Sequence, residues 1–298
     1  LKISSVGGII AAANSKLAFP LKKVGTITAV KRIALLLKQA GVFPIVVLTG
    51  PQEDKVRYQL AEDGVIFLPV GESPLELIES AKIGFSFLQD LCDKVVFAPV
   101  NAPFFSAETM KRVLEAEGDV VIPSFQKRGG HPIVLTNKMI TPILNYSGAQ
   151  GLNEAIVATG TEIDWVNVDD SGIRVHAESD VTEEGFHLIN NLGLEQETVF
   201  FTARVKLLLF LISQTHAMRG ACDLMALSYS KGWALVNQLE KDVGFIVVAR
   251  QHGGKHGGRT DLTAAGYDFL IAYQKMEETI IKTSQAAFRQ FVDEIYDR

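Results

Sequence analysis

Apolar residues recur along the chain in two alternating rhythms. Short, nearly uninterrupted apolar runs occupy residues 6–12, 43–48, 65–67, 94–98 and 119–122, the pattern of strands buried on both faces. Between them the spacing changes to threes and fours. Residues 26–40 place Ile27, Val30, Ile33, Ala34 and Leu37 on one side of a helix, and residues 54–62, 75–90 and 107–116 follow the same period. Strand and helix alternate through residues 1–192. That order predicts a mostly parallel sheet with helices on both faces, and such sheets bind ligands outside the carboxyl ends of their strands.

The rhythm changes after Asn190-Asn191-Leu192-Gly193, which reads as a domain junction. Residues 198–215 and 216–224 predict two helices. Ser228 is a cap for a third, running to about residue 241, with Trp233, Val236 and Leu239 on its core face and Tyr229, Lys231 and Asn237 opposite. Residues 245–250 predict a strand. Gly253-Gly254-Lys255-His256-Gly257-Gly258-Arg259 is a tight basic turn, and Asp261-Leu262-Thr263 returns into a helix capped by Thr263. From there Phe269, Tyr273, Met276, Ile280, Ser284, Phe288, Phe291 and Ile295 recur at threes and fours almost to the end. Thirty-odd residues make a rod of roughly 50 Å, and its apolar stripe calls for a two-fold partner. A helix that enters a groove beside a basic loop is how winged helix-turn-helix domains hold DNA. The expected organisation is an α/β domain at 1–192 and an α-rich winged helix-turn-helix domain at 193–298, ending in a long dimerisation helix. A homodimer of this kind would read a palindromic operator in double-stranded DNA.

Charge sharpens this division. The chain carries a net charge of −5, yet between Arg204 and Arg259 the cations Arg204, Lys206, Arg219, Lys231, Lys241, Arg250, Lys255 and Arg259 face only Asp223, Glu240 and Asp242. A basic module on an acidic body fits phosphate binding at one end only. The two cysteines, Cys92 and Cys222, fall in different predicted domains and read as unbridged core residues, as in a reducing cytoplasm. No CxxC or HxxxH spacing suggests zinc. No apolar run is long enough to span a bilayer and no signal peptide is visible, so a cytoplasmic location without a membrane partner is expected.

Two stretches resemble known families. Met218-Arg219-Gly220-Ala221-Cys222, Ser228-Tyr229-Ser230-Lys231-Gly232-Trp233, Glu240, Arg250-Gln251, the GGKxGG turn and Leu262-Thr263-x-x-Gly266 resemble the DNA-binding domain of ModE-type molybdate regulators, which are LysR-like winged helices. The resemblance implies DNA contacts at Arg219, Tyr229, Ser230, Lys231, Asn237, Arg250, Lys255, His256 and Arg259. The molybdate-binding domains that those regulators usually carry are lacking, so molybdate is not an assured ligand. Residues 3–190 resemble MobA-like nucleotidyltransferases, including the molybdenum cofactor cytidylyl- and guanylyltransferases. The resemblance rests on Ile9-Ile10-Ala11-Ala12-Ala13, Pro20-Leu21 with Val24-Gly25, Val46-Val47-Leu48-Thr49-Gly50, Ser80-x-Lys82-Ile83-Gly84, Ala98-Pro99-Val100-Asn101-Ala102-Pro103-Phe104, Ile122-Pro123-Ser124 and Gly130-His131-Pro132-Ile133. It implies a Rossmann-like three-layer nucleotidyltransferase fold that binds CTP or GTP with Mg²⁺. A phosphate loop at Ala12, Ala13, Asn14, Ser15 and Lys16 and a pocket-facing His131 are implied as well.

The chain departs from that pattern at its chemistry. The loop lacks the family's glycine, and Phe19 stands where a Lys is expected before Pro20. Asn101 occupies the position of the metal-binding Asp, and an amide is a far poorer Mg²⁺ ligand than a carboxylate. The second carboxylate falls near Glu178 or Asp180. These departures lead us to expect a DNA-binding transcription regulator linked to molybdenum or molybdenum cofactor metabolism. Its first domain would be catalytically impaired and would sense a nucleotide, a pterin or an oxyanion. The alternatives are a working cytidylyl- or guanylyltransferase with a DNA-binding module, and a scaffold that senses nothing and only dimerises the DNA-binding arm.

Overall fold

The computed structural model describes residues 6–13, 19–50, 53–71, 77–148, 151–174, 188, 190–251 and 259–296. The chain divides into two compact units. The larger is Lys2–Leu60 with Phe67–Gly185, and the smaller is Phe186–Arg298 with Ala61–Ile66.

Strand β1 (Val6–Ala11) is followed by a hairpin of β2 (Lys23–Val24) and β3 (Ile27–Thr28), and then by helix α1 (Ala29–Gln39). The helix expected from residue 26 thus starts three residues later. Gly25, at φ 64°, turns the chain between the two short strands, and Ile27 spends its apolar side in the hairpin. Then come β4 (Ile45–Thr49), α2 (Glu53–Leu60), β5 (Ile66–Pro69), α3 (Leu77–Leu88), β6 (Lys94–Pro99), α4 (Ala107–Glu115) and β7 (Val120–Phe125). Five further elements follow that the apolar rhythm did not announce: β8 (Arg128–Gly129), β9 (Ile133–Thr136), α5 (Asn137–Leu144), α6 (Leu152–Ala158) and β10 (Ile163–Asn167). The sheet order is β10-β7-β9-β6-β1-β4-β5, with β8 beside β7. β1 runs parallel to β4 and β6, and β10 parallel to β7. β9 lies antiparallel between β6 and β7, which makes the sheet mixed with parallel pairs dominant.

Glycines set the layers. A Cβ on Gly7 would fall 2.7 Å from Cys92 Sγ and 3.1 Å from Leu88 of α3, whereas one on Gly8 would fall 3.1 Å from Leu37 of α1. Successive strand residues face opposite sides, so α3 and α1 cover opposite faces of β1. Ile9 and Ile10, fully buried, fill those two faces in turn. The paired glycines of β1 are therefore sites of close approach.

The smaller unit begins with β11 (Leu194–Glu195) and β12 (Val199–Phe201), an antiparallel pair that takes the start of the helix expected from residue 198. Helix α7 (Ala203–Thr215) ends at His216, which adopts the left-handed conformation, and α8 (Met218–Leu224) follows. Helix α9 (Tyr229–Val243) is capped by Ser228, whose side chain accepts the Lys231 N–H. Gly244, at φ 78°, closes it. β13 (Val248–Gln251) and β14 (Arg259–Leu262) pair antiparallel, and α10 (Ala264–Tyr296) runs for 33 residues from a cap at Thr263, whose Oγ1 accepts the Gly266 N–H at 3.0 Å. Its first turns are anchored by Tyr273, whose hydroxyl donates to the Leu192 carbonyl at 3.1 Å, and by an ion pair of Glu277 with the buried Lys206. Beyond Tyr273 no described residue of α10 is fully buried. Among the described residues, no helix is long and apolar enough to cross a membrane.

Candidate functional site

In the larger unit the strand ends β1, β4 and β6 are held level by backbone bonds. Ala12 N donates to Leu48 O at 3.1 Å, and Val100 N donates to Ala11 O at 3.1 Å. Ala12 is buried and Ala13 half-buried where β1 runs out. Here Gly50 passes so close that a Cβ would sit 2.8 Å from the Ala13 carbonyl oxygen, which demands glycine at this crossing. Thr49 beside it is 1% exposed, and its hydroxyl has no hydrogen-bond partner among the described residues. Asn101 lies half-buried in the turn after β6, which Ala102 N closes onto Pro99 O at 3.1 Å. His131 enters antiparallel β9 at the same edge. Its N–H donates to Ile173 O at 2.9 Å, and its ring lies 6.4 Å from that of Phe97. The structure thus brings Ala12, Ala13, Asn101 and His131 to the carboxyl edge of the parallel strands. Asn14, Ser15, Lys16, Glu178 and Asp180 lie outside the described residues.

Two charged side chains that the sequence reading passed over shape this edge. Arg32 is 4% exposed, and its Nε donates to Pro103 O at 2.6 Å, holding the segment that carries Asn101. It sits on the apolar face of α1 one turn from Ala29 and Leu36, so the helical period does flag a cation pointing inward. Asp170 caps its own turn through Gly172 N at 2.9 Å. It also accepts from Ser106 N at 2.8 Å and Thr109 Oγ1 at 2.5 Å, a tie across more than sixty residues that no local pattern reveals. These groups brace backbone. Among the described residues no three His, Cys, Asp or Glu side chains gather where a metal could be held. Where the sequence resemblance leads one to expect a metal-binding Asp, the donor is the neutral Asn101 amide, so the described residues do not by themselves fit Mg²⁺.

In the smaller unit α9 buries Gly232, Val236 and Leu239. A Cβ on Gly232 would strike Cys222 Sγ and lie 3.1 Å from Met218 Sδ, so α8 and α9 cross at glycine. Burial, with help from Asp223, pushes the Cys222 thiol up to about 11. The opposite face exposes Tyr229, Ser230, Lys231 and Asn237. Trp233, expected in the core, is half-buried on this outer face, because Arg250 arrives from β13 to cover it. The guanidinium carbon stands 3.8 Å from the indole centroid, and Nη2 donates to Asn237 Oδ1 at 2.8 Å. Arg219 of α8 covers the Tyr229 ring at 5.2 Å, and the two aromatic rings meet edge to face at 6.2 Å. At the base of the β13–β14 hairpin Asp261 binds both Arg259 and His216. The Arg259 hydrogen bond, with His216 in support, holds the Asp261 carboxyl below the usual carboxylate range. Lys255 and His256 lie outside the described residues.

Comparison with known proteins bears on the larger unit. The family model of the MobA-like NTP transferase domain matches residues 14–163. Similar folds include Rv0371c of Mycobacterium tuberculosis H37Rv, at 15% identity and a TM-score of 0.50, covering 56% of this chain and 90% of that one. A homologue from Mycobacterium sp. strain JC1 shows 16% identity and a TM-score of 0.50, covering 57% and 88%. A second structure of the tuberculosis protein, in complex with manganese, shows 15% identity and a TM-score of 0.49, covering 55% and 88%. No curated protein matches the chain.

Proposed function

We propose, from the premise that the chain belongs to the MobA-like NTP transferase family, that its larger unit binds CTP or GTP at the carboxyl edge of the sheet and transfers the nucleotidyl group only weakly. The observation that carries this reading is the family match over residues 14–163, within which Gly50 and Asn101 stand at the same strand edge as Ala12 and Ala13. In such a transfer a phosphate oxygen of the acceptor attacks the α-phosphorus and pyrophosphate leaves, so catalysis is mostly positioning and charge neutralisation. The neutral Asn101 amide is the reason we expect weak transfer. By family resemblance the acceptor is a molybdopterin. The test is a calorimetric titration with CTP, GTP and ATP, each with Mg²⁺, with pyrophosphate release followed after adding molybdopterin. Binding with slow or no release supports the reading, rapid release makes the unit a working transferase, and absence of binding by all three nucleotides overturns it.

A second reading concerns the smaller unit: it binds double-stranded DNA as a winged helix-turn-helix, with α9 in the groove and the β13–β14 hairpin as wing. The observation favouring it is the row of Arg219, Tyr229, Trp233, Asn237 and Arg250 along the outer face of α9. Pairing of two chains through α10 would present two such faces. Together the two readings describe a regulator whose DNA binding answers to a nucleotide. By resemblance, the regulated genes concern molybdenum or its cofactor. Fluorescence anisotropy with duplex DNA between 50 and 200 mM salt tests it. Affinity that falls steeply with salt is expected, and no binding at the lowest salt removes the reading.

A further inference from the structure

We infer that Arg250 reads a guanine base in duplex DNA and that Asn237 serves to aim it; this rests on the second reading above. Tyr229, Trp233 and Asn237 follow one another at spacings of four, so they form one stripe down α9. From Tyr229 to Asn237 the stripe is about 12 Å long, close to the width of the major groove. Arg250 belongs to β13, yet its guanidinium lies along this helix stripe. One face is covered by the indole of Trp233, and one nitrogen is fixed on Asn237 Oδ1. A guanidinium only donates, so the Asn237 amide must present its oxygen to it. Asn237 is thereby held to Arg250 by the same oxygen that its pattern for adenine needs.

A cation that merely neutralises phosphate needs no fixed orientation. A planar fork locked by stacking and by a hydrogen bond is suited to the O6 and N7 acceptors of guanine, which lie side by side in the major groove. The hydrogen bond to Asn237 uses one of the two Nη2 hydrogens, and the other Nη2 hydrogen still forms a fork with the N–H beside it. The same arrangement argues against single-stranded nucleic acid. Base stacking needs open aromatic faces, and here Arg219 lies over Tyr229 while Arg250 lies over Trp233.

The test is in vitro selection from a random duplex library with the full chain, comparing the unaltered protein with Arg250→Lys and Asn237→Ala. The unaltered chain should enrich a motif with a fixed guanine. Arg250→Lys keeps the charge but loses the fork, and should lower preference for that guanine roughly 5- to 100-fold while leaving the salt dependence of binding unchanged. Asn237→Ala should relax the same column partially and no adenine column. An unchanged motif in Arg250→Lys, or an equal loss on every sequence with a shallower salt slope, would make Arg250 a phosphate contact and overturn the inference alone. Failure of the unaltered chain to bind any duplex would remove the DNA reading and this inference with it. Thermal melting of each variant separates a lost contact from a lost fold.

Discussion

Glu240 near the end of α9 holds Val247 at the start of the hairpin: its Oε1 accepts the Val247 N–H at 2.8 Å, and the next N–H, of Val248, at 2.9 Å. One carboxylate oxygen thus fixes where β13 leaves the helix, and with it where Arg250 arrives. Glu240→Ala would leave two backbone donors without their acceptor, at a cost of about 2–3 kcal/mol. We expect amide exchange at Val247 and Val248 to speed up roughly 30- to 150-fold, with Glu240→Gln, which keeps an oxygen acceptor, losing much less. Exchange unchanged in the alanine variant would show that the strand is held by other contacts.

Local signals carried much of the architecture, and the misses have physical causes. The caps at Ser228 and Thr263 and the glycine stop at Gly244 act within three or four residues, so they are legible in the chain. The spacing of Ile27 to Val30 imitates a helix, whereas a six-residue hairpin over residues 23–28, turned by Gly25, decides the matter. Strand β9 follows β7 and β8 with no helix between and runs against its neighbours, so it breaks the strand–helix alternation that placed the others. Trp233 shares a face with Val236 and Leu239 by spacing, but its partner Arg250 lies seventeen residues further on and across a loop. At the carboxyl edge, the position of Asn101 was legible, while the braces from Arg32 and Asp170 join segments that only the fold brings together.

Asn101→Asp restores a carboxylate at the strand end. We expect divalent-dependent binding of CTP or GTP to tighten about tenfold, or ~1.4 kcal/mol, measured by calorimetry in Mg²⁺ or Mn²⁺ against a chelated control. Equal affinity with and without metal in both proteins would mean that the turn does not face the phosphates.

Asp261 predicts a pH dependence. Its folded carboxyl titrates below the ordinary value near 3.9 because Arg259 and His216 favour the charged form. The unfolded chain therefore binds more protons on this group as the pH falls. Its stabilising contribution is fully present above the unfolded value and is lost as the pH drops through the folded one. Denaturant unfolding of the smaller unit, followed by Trp233 fluorescence in a Trp165→Phe background, should show the unaltered chain more stable than Asp261→Asn from pH 7 to 5. The gap should begin to narrow below about pH 4 and go on narrowing as the pH falls. A gap that does not narrow at all below about pH 4 would contradict the ionic origin.

The cysteines should be silent in the folded protein. Cys92 and Cys222 are both buried, and the Cys222 thiol is raised to about 11. At pH 8 only about a thousandth of such a thiol is thiolate. Titration with a chromogenic disulfide should find essentially no reaction in native buffer and two equivalents in guanidinium. A fast native equivalent would place one thiol within reach of solvent.

The central position of β1 has a consequence for synthesis. β1 is paired on one side by β4 and on the other by β6, whose last residue follows the last of β1 by about 90 positions. At roughly 5–20 residues per second a ribosome takes about 4–18 s to cover that interval. During it a central, largely buried strand of the sheet is in the nascent chain with one edge bare. The order of strands thus sets a waiting time, and chaperone capture of nascent chains should peak before residue 99 emerges and fall once β6 can close the edge.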